Sequence, residues 1–303
     1  WPGDFTTLGD VVFFSARDEA TGTELWRTDG TEAGTFLVMD INPGSADSVP
    51  YDLTATSDAV YFYANDGVHG NEMWISDGTG PGTSLLKDIN PGSASSNNPF
   101  ACLGKINTLV LFNADDGSLG NELWKTDGTS NGTLLVQDIN TINSASNPCY
   151  FTELNGQLHF SANDGIHGIE LWQSNGTNVT LIDLNKSTAH AGVISIVNSN
   201  GTLFFRASDG DDPGHHGAEL WKSDGTAAGT SLVKDILPGT GSSSPRYLTV
   251  FKNQVFFTAT NSPNPTQGNG YELWKSDGTE SGTVMVKDTV PGPNYIFFPQ
   301  DLY

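Results

Sequence analysis

Acidic residues and histidines gather in short loops that recur along the chain, and this combination of side chains can bind metal ions. One such loop runs from Asp66 to Glu72 and contains His69. It returns from Asp164 to Glu170 with His167, and from Asp209 to Glu219 with two histidines. Zinc needs three or four nitrogen or sulfur ligands, and each loop offers only one or two. The loops therefore do not favour zinc.

Calcium fits the third of these loops better, because it prefers oxygen ligands. The carboxylates of Asp209, Asp211 and Asp212 lie close together in the sequence and have carbonyl groups nearby. We predict that they hold a calcium ion that staples the loop and takes no part in catalysis. The alternative is an acidic loop that is simply solvated.

Catalysis is not expected from the sequence. The chain contains no nucleophile elbow, no His-Glu-x-x-His segment and no phosphate-binding loop. An active site assembled from unlike residues of several repeats leaves no linear motif. If one exists, the long loops at 209–217 and 261–270 are where we expect it.

Four aromatic residues follow the segments that connect one repeat to the next: Tyr51, Phe100, Tyr150 and Tyr247. Sugar rings stack on aromatic faces, so these four are candidates for glycan binding. The alternative is that they pack between neighbouring structural units.

The elements that position these residues come from an internal repeat. A Glu-Leu-Trp or Glu-Met-Trp triplet occurs six times, and successive tryptophans are 48 to 53 residues apart. A period of about 40 to 50 residues with strand-like content is typical of propeller blades. Each repeat contains one triplet tryptophan, and in five of the six repeats an Asp-Gly pair follows it. We therefore expect the tryptophans in the core and the aspartates in tight turns.

The second repeat shows four strand segments separated by turn residues: Tyr51–Thr56, Val60–Ala64, Glu72–Ser76 and Thr83–Ile89. Six such units predict an all-β, six-bladed β-propeller with four-stranded antiparallel blades. A stacked solenoid is the competing architecture. The repeats tile residues 1–303 without a linker, so we expect one domain. The sequence pattern of the first strand occurs a seventh time near Pro299. This extra copy is also consistent with a piece of a longer array of repeats.

The repeat resembles the ELWxxDGT repeat family. Five of the six copies keep the triplet followed by Asp-Gly-Thr. The fourth copy has Asn175 in place of the aspartate and lacks the Gly-Thr pair that follows elsewhere. The resemblance implies a secreted or surface protein, and it implies no particular chemistry.

The charge balance limits the classes of partner. The 35 acidic and 13 basic residues give a net charge of −22. Nucleic acid is therefore not an expected partner, because phosphate binding needs clustered Lys and Arg. No apolar run approaches the roughly 20 residues that span a bilayer. The first residue, Trp1, is consistent with a chain whose signal peptide has been removed.

Five acceptor sequons for N-glycosylation support secretion, at Asn131, Asn175, Asn178, Asn185 and Asn200. Some sequons arise by chance in turns rich in Asn and Thr. In an up-down-up-down blade, however, all except Asn185 fall in turns at one end. We therefore predict that the opposite end makes the functional contacts.

The chain has two cysteines, Cys102 and Cys149, near the starts of consecutive first strands. An isolated pair in a secreted chain is more often bridged than free. We predict a disulfide, with two buried thiols as the alternative.

These features favour a non-enzymatic extracellular scaffold or adhesion module whose partner is an extracellular protein or polysaccharide. A lectin-like propeller that binds glycans is the first alternative. A propeller hydrolase or lyase with an axial active site is the second.

Overall fold

The computed structural model describes residues 2–96, 102–142, 144–184, 190–210, 215–262 and 270–288. Throughout these ranges the regular structure is β-strand and none of it is helical. The chain divides into two compact units, Trp1–Asn147 and Pro148–Tyr303. Each unit contains three four-stranded antiparallel sheets. The predicted all-β fold with six propeller blades is confirmed.

The first unit holds blades 1 to 3, and in each blade the strands pair in chain order. The strands are β1 (Gly3–Leu8), β2 (Val11–Asp18), β3 (Gly22–Thr28) and β4 (Phe36–Met39); β5 (Tyr51–Ala55), β6 (Val60–Asn65), β7 (Asn71–Ser76) and β8 (Ser84–Leu85); β9 (Leu103–Ile106), β10 (Leu109–Asp115), β11 (Asn121–Thr126) and β12 (Leu134–Gln137).

The second unit holds blades 4 to 6 with the same pairing order. The strands are β13 (Cys149–Leu154), β14 (Gln157–Asn163), β15 (Ile169–Ser174) and β16 (Val179–Ile182); β17 (Ile194–Ser199), β18 (Thr202–Ala207), β19 (Glu219–Ser223) and β20 (Ser231–Lys234); β21 (Arg246–Phe251), β22 (Gln254–Ala259), β23 (Glu272–Ser276) and β24 (Val284–Lys287).

The core lies between neighbouring blades and is built from the second and third strands. Between blades 1 and 2, Phe13 and Leu25 pack with Val60, Phe62 and Trp74 in one buried cluster. Both faces of a middle strand are covered, which explains why β6 reads as a continuous run of apolar and aromatic residues. Five of the six triplet tryptophans are 5 to 7 % exposed, as predicted, and Trp26 is partly buried.

The fourth strand of blade 2 is shorter than the predicted Thr83–Ile89 segment, because β8 covers only Ser84–Leu85. After it, the N–H of Leu86 still bonds to the carbonyl of Met73. The N–H groups of Ile89 and Asn90 then turn to the side chain of Glu72. The chain leaves the sheet here because its backbone N–H groups donate to the buried carboxylate of Glu72 and no longer to the neighbouring strand.

A closed set of hydrogen bonds explains the Asp-Gly-Thr signature between the third and fourth strands. In blade 2, Oδ1 of Asp77 accepts the N–H of Thr79 at 2.8 Å and its hydroxyl at 2.7 Å. The Thr79 hydroxyl accepts the N–H of Gly82 at 3.0 Å, and Thr83 donates to the Thr79 carbonyl at 2.7 Å. The same bonds form in blades 1, 3, 5 and 6. The recurring aspartates are turn-forming residues, as predicted.

The second glycine of the signature is required by space. A Cβ atom on Gly82 would lie 2.0 Å from Oδ1 of Asp77. The four equivalent glycines, Gly34, Gly132, Gly229 and Gly282, would bring a Cβ atom to 1.9–2.1 Å from the carboxylate of their own turn. None of the five has a left-handed φ, so the carboxylate, and not the backbone conformation, excludes a side chain.

Blade 4 closes its hairpin in a different way. Oδ1 of Asn175 accepts the N–H groups of Thr177 and Asn178, both at 2.9 Å. The turn is complete after these bonds, and β16 starts at Val179. An amide oxygen therefore substitutes for the carboxylate in a shorter turn, which accounts for the missing Gly-Thr pair.

Replacement of Gly82 by alanine should destabilise the protein, because the methyl group meets the Asp77 carboxylate. We expect a loss of roughly 1–3 kcal/mol, the usual cost of overpacking, measured by urea unfolding. Gly3→Ala is the matched control, since a Cβ there has nothing within 4 Å. Equal unfolding midpoints for the two variants would contradict the steric account.

Candidate functional site

The two ends of a blade carry different kinds of residue. The turn end of a blade carries the connection between the first and second strands and the connection between the third and fourth strands. The loop end carries the second-to-third loop and the crossover to the next blade. Asn131, Asn175, Asn178 and Asn200 lie at the turn ends of their blades and are exposed. The loop ends carry the other sequence-predicted residues that the structure describes.

A buried glutamate from the triplet positions the crossover that follows each of blades 1 to 5. In blade 5, Glu219 has no exposed surface. Its carboxylate accepts the N–H groups of Ile236 at 3.1 Å, Leu237 at 3.3 Å and Ser243 at 2.9 Å, and it bonds to the Ser243 hydroxyl at 2.5 Å. Equivalent bonds reach Glu24, Glu72, Glu122 and Glu170. The glutamate satisfies backbone donors that have no partner in the sheet.

Burial changes the acidity of these glutamates. Loss of contact with water raises the pKa of Glu72, Glu170 and Glu219 to about 7, although hydrogen-bond donors to each carboxylate act in the opposite direction. For the same reason the pKa of Glu24 and Glu122 is raised. The crossovers after blades 2, 4 and 5 are therefore held by carboxylates whose pKa lies near neutral pH.

An aspartate–histidine pair fixes three of the second-to-third loops. In blade 2, Oδ1 of Asp66 accepts the N–H groups of Val68 and His69 at 2.9 and 2.8 Å. Its Oδ2 lies 2.7 Å from Nδ1 of His69. The same pair forms between Asp164 and His167 and between Asp209 and His216. The hydrogen bond to the aspartate raises the pKa of each histidine.

Asp209, one of the three predicted calcium ligands, uses both carboxylate oxygens within its own loop. Oδ1 accepts the N–H of His216 at 2.5 Å, and Oδ2 lies 2.9 Å from Nδ1 of the same residue. Asp211 and Asp212 lie outside the described residues. Within the described part of the chain, no three His, Cys, Asp or Glu side chains are placed to hold a metal ion. The calcium site stays a prediction.

The predicted aromatic residues fall into two groups. Tyr51 stacks on Tyr63, with ring centroids 5.8 Å apart, and packs against the core between blades 2 and 3. Tyr150 and Tyr247 are each 41 % exposed. Phe100 lies outside the described residues. Among the described members of the set, Tyr150 and Tyr247 are therefore the two that are exposed.

Tyr150 and Tyr247 also share an unusual backbone. Their φ angles are +58° and +55°, and each lies where the register of the first strand shifts against the second. A left-handed φ is rare for a bulky residue, and a bulge re-aims the side chain that it carries. The equivalent bulge residues in other blades are Asp4, Asp52 and Ser195. The bulge is common to these blades, and blades 4 and 6 place tyrosine on it.

Two arginines, Arg206 and Arg246, lie on the strands of blades 5 and 6 in the second unit. The guanidinium of Arg246 lies 5.0 Å from the ring centroid of Tyr271. Burial, together with the nearby charge of Arg246, lowers the pKa of Arg206, which also interacts electrostatically with Tyr150 and Tyr271. Nε of Arg206 is buried and has no hydrogen-bond partner among the described residues. Sequence analysis missed these arginines, although they are two of only 13 basic residues in the chain.

The remaining sequence predictions concern the cysteines, the glycosylation sequons and membrane spans. Both cysteines are disulfide-bonded, and Cys102 and Cys149 are the only two in the chain, so the predicted disulfide is present. Asn185 lies outside the described residues, and glycosylation at all five sequons stays a prediction. In the described ranges, no helix has the length and apolar character to cross a membrane.

Comparison with known sequences gives no relative, since neither a protein-family model nor a curated protein matches the chain. Solved structures are similar in fold. A prolyl endopeptidase matches with a TM-score of 0.55 and 11% identity over 94% of this chain and 42% of its own. A Mycobacterium tuberculosis puromycin-hydrolyzing peptidase matches with a TM-score of 0.53 and 12% identity over 96% of this chain and 44% of its own.

The β-propeller domain of the Trilobed protease from Pyrococcus furiosus is also similar, with a TM-score of 0.50 and 11% identity over 96% of this chain and 85% of that domain. This chain spans less than half the length of the two peptidases above. At such low identity the similarity concerns the fold alone, and it agrees with a β-propeller.

Replacement of Glu219 by glutamine tests the titration of the buried glutamates. A group whose folded pKa lies above its unfolded pKa stabilises the fold below the unfolded value, and the stability is lost as pH rises through the folded value. The folded pKa of Glu219 is about 7 against a usual 4.5. We therefore expect the wild-type free energy of unfolding to fall between pH 5 and 8, and Glu219→Gln to flatten part of that fall.

Glu280→Gln is the control, because Glu280 is exposed in the same unit. Urea unfolding at several pH values between these limits measures the effect. A Glu219→Gln variant whose stability follows the wild-type pH curve would contradict a raised pKa at this position.

Proposed function

We propose that the protein is a non-enzymatic extracellular interaction module that presents rigid loops to a protein or polysaccharide partner. The observation that carries the proposal is the way the loop ends are held. Val68 and Ile166 stand at two loop tips and are 62 and 57 % exposed. Each tip is fixed by an aspartate that bonds to the backbone of the tip itself and to the following histidine. A loop that is ordered before binding loses less entropy when it binds.

The recurring polar side chains support the same role. The triplet glutamates bind crossover amides, and the signature aspartates bind turn amides. These groups build the frame in each blade where they are described. The second-to-third loops keep an Asp-Gly-x-His pattern in blades 2 and 4 and differ in sequence and length in blades 1, 5 and 6. Binding residues commonly lie on loops that a rigid scaffold supports. The disulfide is consistent with an oxidising, extracellular setting.

A lectin-like role is the second candidate, and the residues of the second unit favour it. Tyr150 and Tyr247 are exposed on bulges, and Arg206 and Arg246 lie close enough for their charges to interact. Aromatic faces stack on sugar rings, and guanidinium groups bind carboxylates and sulfates. An acidic saccharide is the glycan class that matches this chemistry.

A binding panel of extracellular proteins and of neutral and acidic polysaccharides tests both candidates. Under the first, Ile166→Asp at a loop end should weaken binding to a panel member by about tenfold, the effect of a lost 1.4 kcal/mol. Thr177→Asp, exposed at the turn end of the same blade, should leave binding unchanged. Under the second, Arg246→Ala should remove binding to acidic saccharides while Ile166→Asp does not.

Peptide cleavage distinguishes the proposed non-enzymatic module from the enzymatic alternative. We expect incubation with a peptide library, followed by mass spectrometry, to give no more cleavage than a heat-denatured sample gives. Cleavage above that level that requires the folded chain would overturn the proposal of a non-enzymatic module.

A further inference from the structure

The four arginines of the chain differ in whether they have a partner. In the first unit, Arg17 forms an ion pair with an aspartate, and Arg27 donates to a backbone carbonyl. In the second unit, neither Arg206 nor Arg246 has a hydrogen-bond acceptor or an ion-pair partner among the described residues. Charged groups that are taken out of water are normally paired, so these two lack the partner that such groups need.

Strand register brings the two unpaired arginines together. Arg206 pairs with the middle residue of its triplet, as Tyr63 does in blade 2. The hydroxyl of Tyr63 donates to the carbonyl of the equivalent residue of blade 3, Asn113, at 3.2 Å. A side chain at this position therefore points to the same position of the next blade, which for Arg206 is Thr258. Thr258 pairs with Arg246 across β22 and β21, and β21 contacts β18.

The guanidinium group of Arg206 is closed on one side and open on the other. Its Nε is buried and has no hydrogen-bond partner among the described residues. The two terminal nitrogens also donate to no described residue, but they are not buried. A carboxylate can accept two parallel hydrogen bonds from one guanidinium group. The terminal nitrogens of Arg206 are therefore available to bind an anion end-on.

The electrostatics of the two arginines also favour an anion. Burial and the charge of Arg246 lower the pKa of Arg206, because two like charges repel. The other groups that act on this pKa are the side chains of Tyr150 and Tyr271, and neither is a carboxylate. A bound anion would offset the repulsion between the two guanidinium groups.

We propose that Arg206 and Arg246 together bind the carboxylate of an acidic saccharide at the loop end of blades 5 and 6. Both residues lie at this end, since β18 ends at Ala207 and β21 begins at Arg246. The exposed ring of Tyr247 follows Arg246 directly, on the bulge of blade 6, so a sugar ring can stack beside the acidic group. The proposal rests on the lectin-like candidate for the source of the carboxylate, and it assigns the residues that hold the charge.

Ligand-observed NMR with methyl glucuronide, methyl glucoside and sodium acetate tests the proposal. Methyl glucuronide should bind at least about tenfold more tightly than methyl glucoside, which has a hydroxymethyl group in place of the carboxylate. Equal binding of the two sugars, or binding of neither, would overturn the proposal.

Acetate separates the anion site from the lectin-like role. Methyl glucuronide should bind more tightly than acetate, because the sugar ring adds contacts. Acetate that binds as tightly as methyl glucuronide would support the arginine site and refute the lectin-like candidate.

A matched pair of variants tests the arginines themselves. Arg206→Met keeps an extended side chain, removes the charge and should weaken binding of methyl glucuronide at least about tenfold. Arg17→Met makes the same substitution and the same change in net charge at an arginine that is already paired, and it should leave binding unchanged. Equal weakening by the two variants would contradict the assignment.

The stability of Arg206→Met distinguishes a binding role from a structural one. Because the substitution removes the repulsion from Arg246, the variant should unfold in urea at the wild-type midpoint or above it. If Arg206→Met does not fold, Arg246→Met decides, and binding of methyl glucuronide that is unchanged in that variant would overturn the proposal.

Discussion

The buried carboxylate of the Glu-Leu-Trp triplet is the interaction on which the blades depend. A blade must release its last strand into a crossover, and the released N–H groups need partners because they are buried. Glu219 accepts three of them and bonds to a serine hydroxyl. Burying a charge is costly unless it is well hydrogen-bonded, and here the cost appears as a raised pKa. In blades 1 to 5, stability and crossover geometry are thereby linked to one side chain per blade.

Specialisation arises where one blade departs from the shared frame. The first-strand bulge is common to several blades, yet it carries tyrosine in blades 4 and 6 and aspartate in blades 1 and 2. The third and fourth strands of blade 4 pair without the bulge seen at that place in blades 1, 3, 5 and 6. Such changes are small in sequence. They change the exposed surface of a blade while the hydrogen bonds of the frame are preserved.

Sequence periodicity predicted the blades, the buried tryptophans and the turn role of the aspartates, because each follows from local pattern and turn chemistry. It did not predict that Gly82 is required by the carboxylate of Asp77, since that contact depends on how the turn folds back. Tyr51 was grouped with Tyr150 although only Tyr150 lies on the bulge, a one-residue difference in register. The electrostatic interaction between Arg206 of blade 5 and Arg246 of blade 6 depends on how neighbouring blades are placed, and no pattern within a single repeat records it.

Hydrogen exchange in a Glu24→Ala variant tests the role of the buried glutamate most directly. The wild-type carboxylate accepts the N–H groups of Ile41, Asn42 and Ser48. The account predicts that the Ile41 and Asn42 amides lose protection in the variant while Thr31, whose N–H bonds to Asp29 in the turn of the same blade, keeps its protection. Ser48 is not diagnostic, because its N–H also bonds to the carbonyl of Thr23. Retained protection at Ile41 and Asn42, or equal loss at Thr31, would contradict the claim that the glutamate holds the crossover.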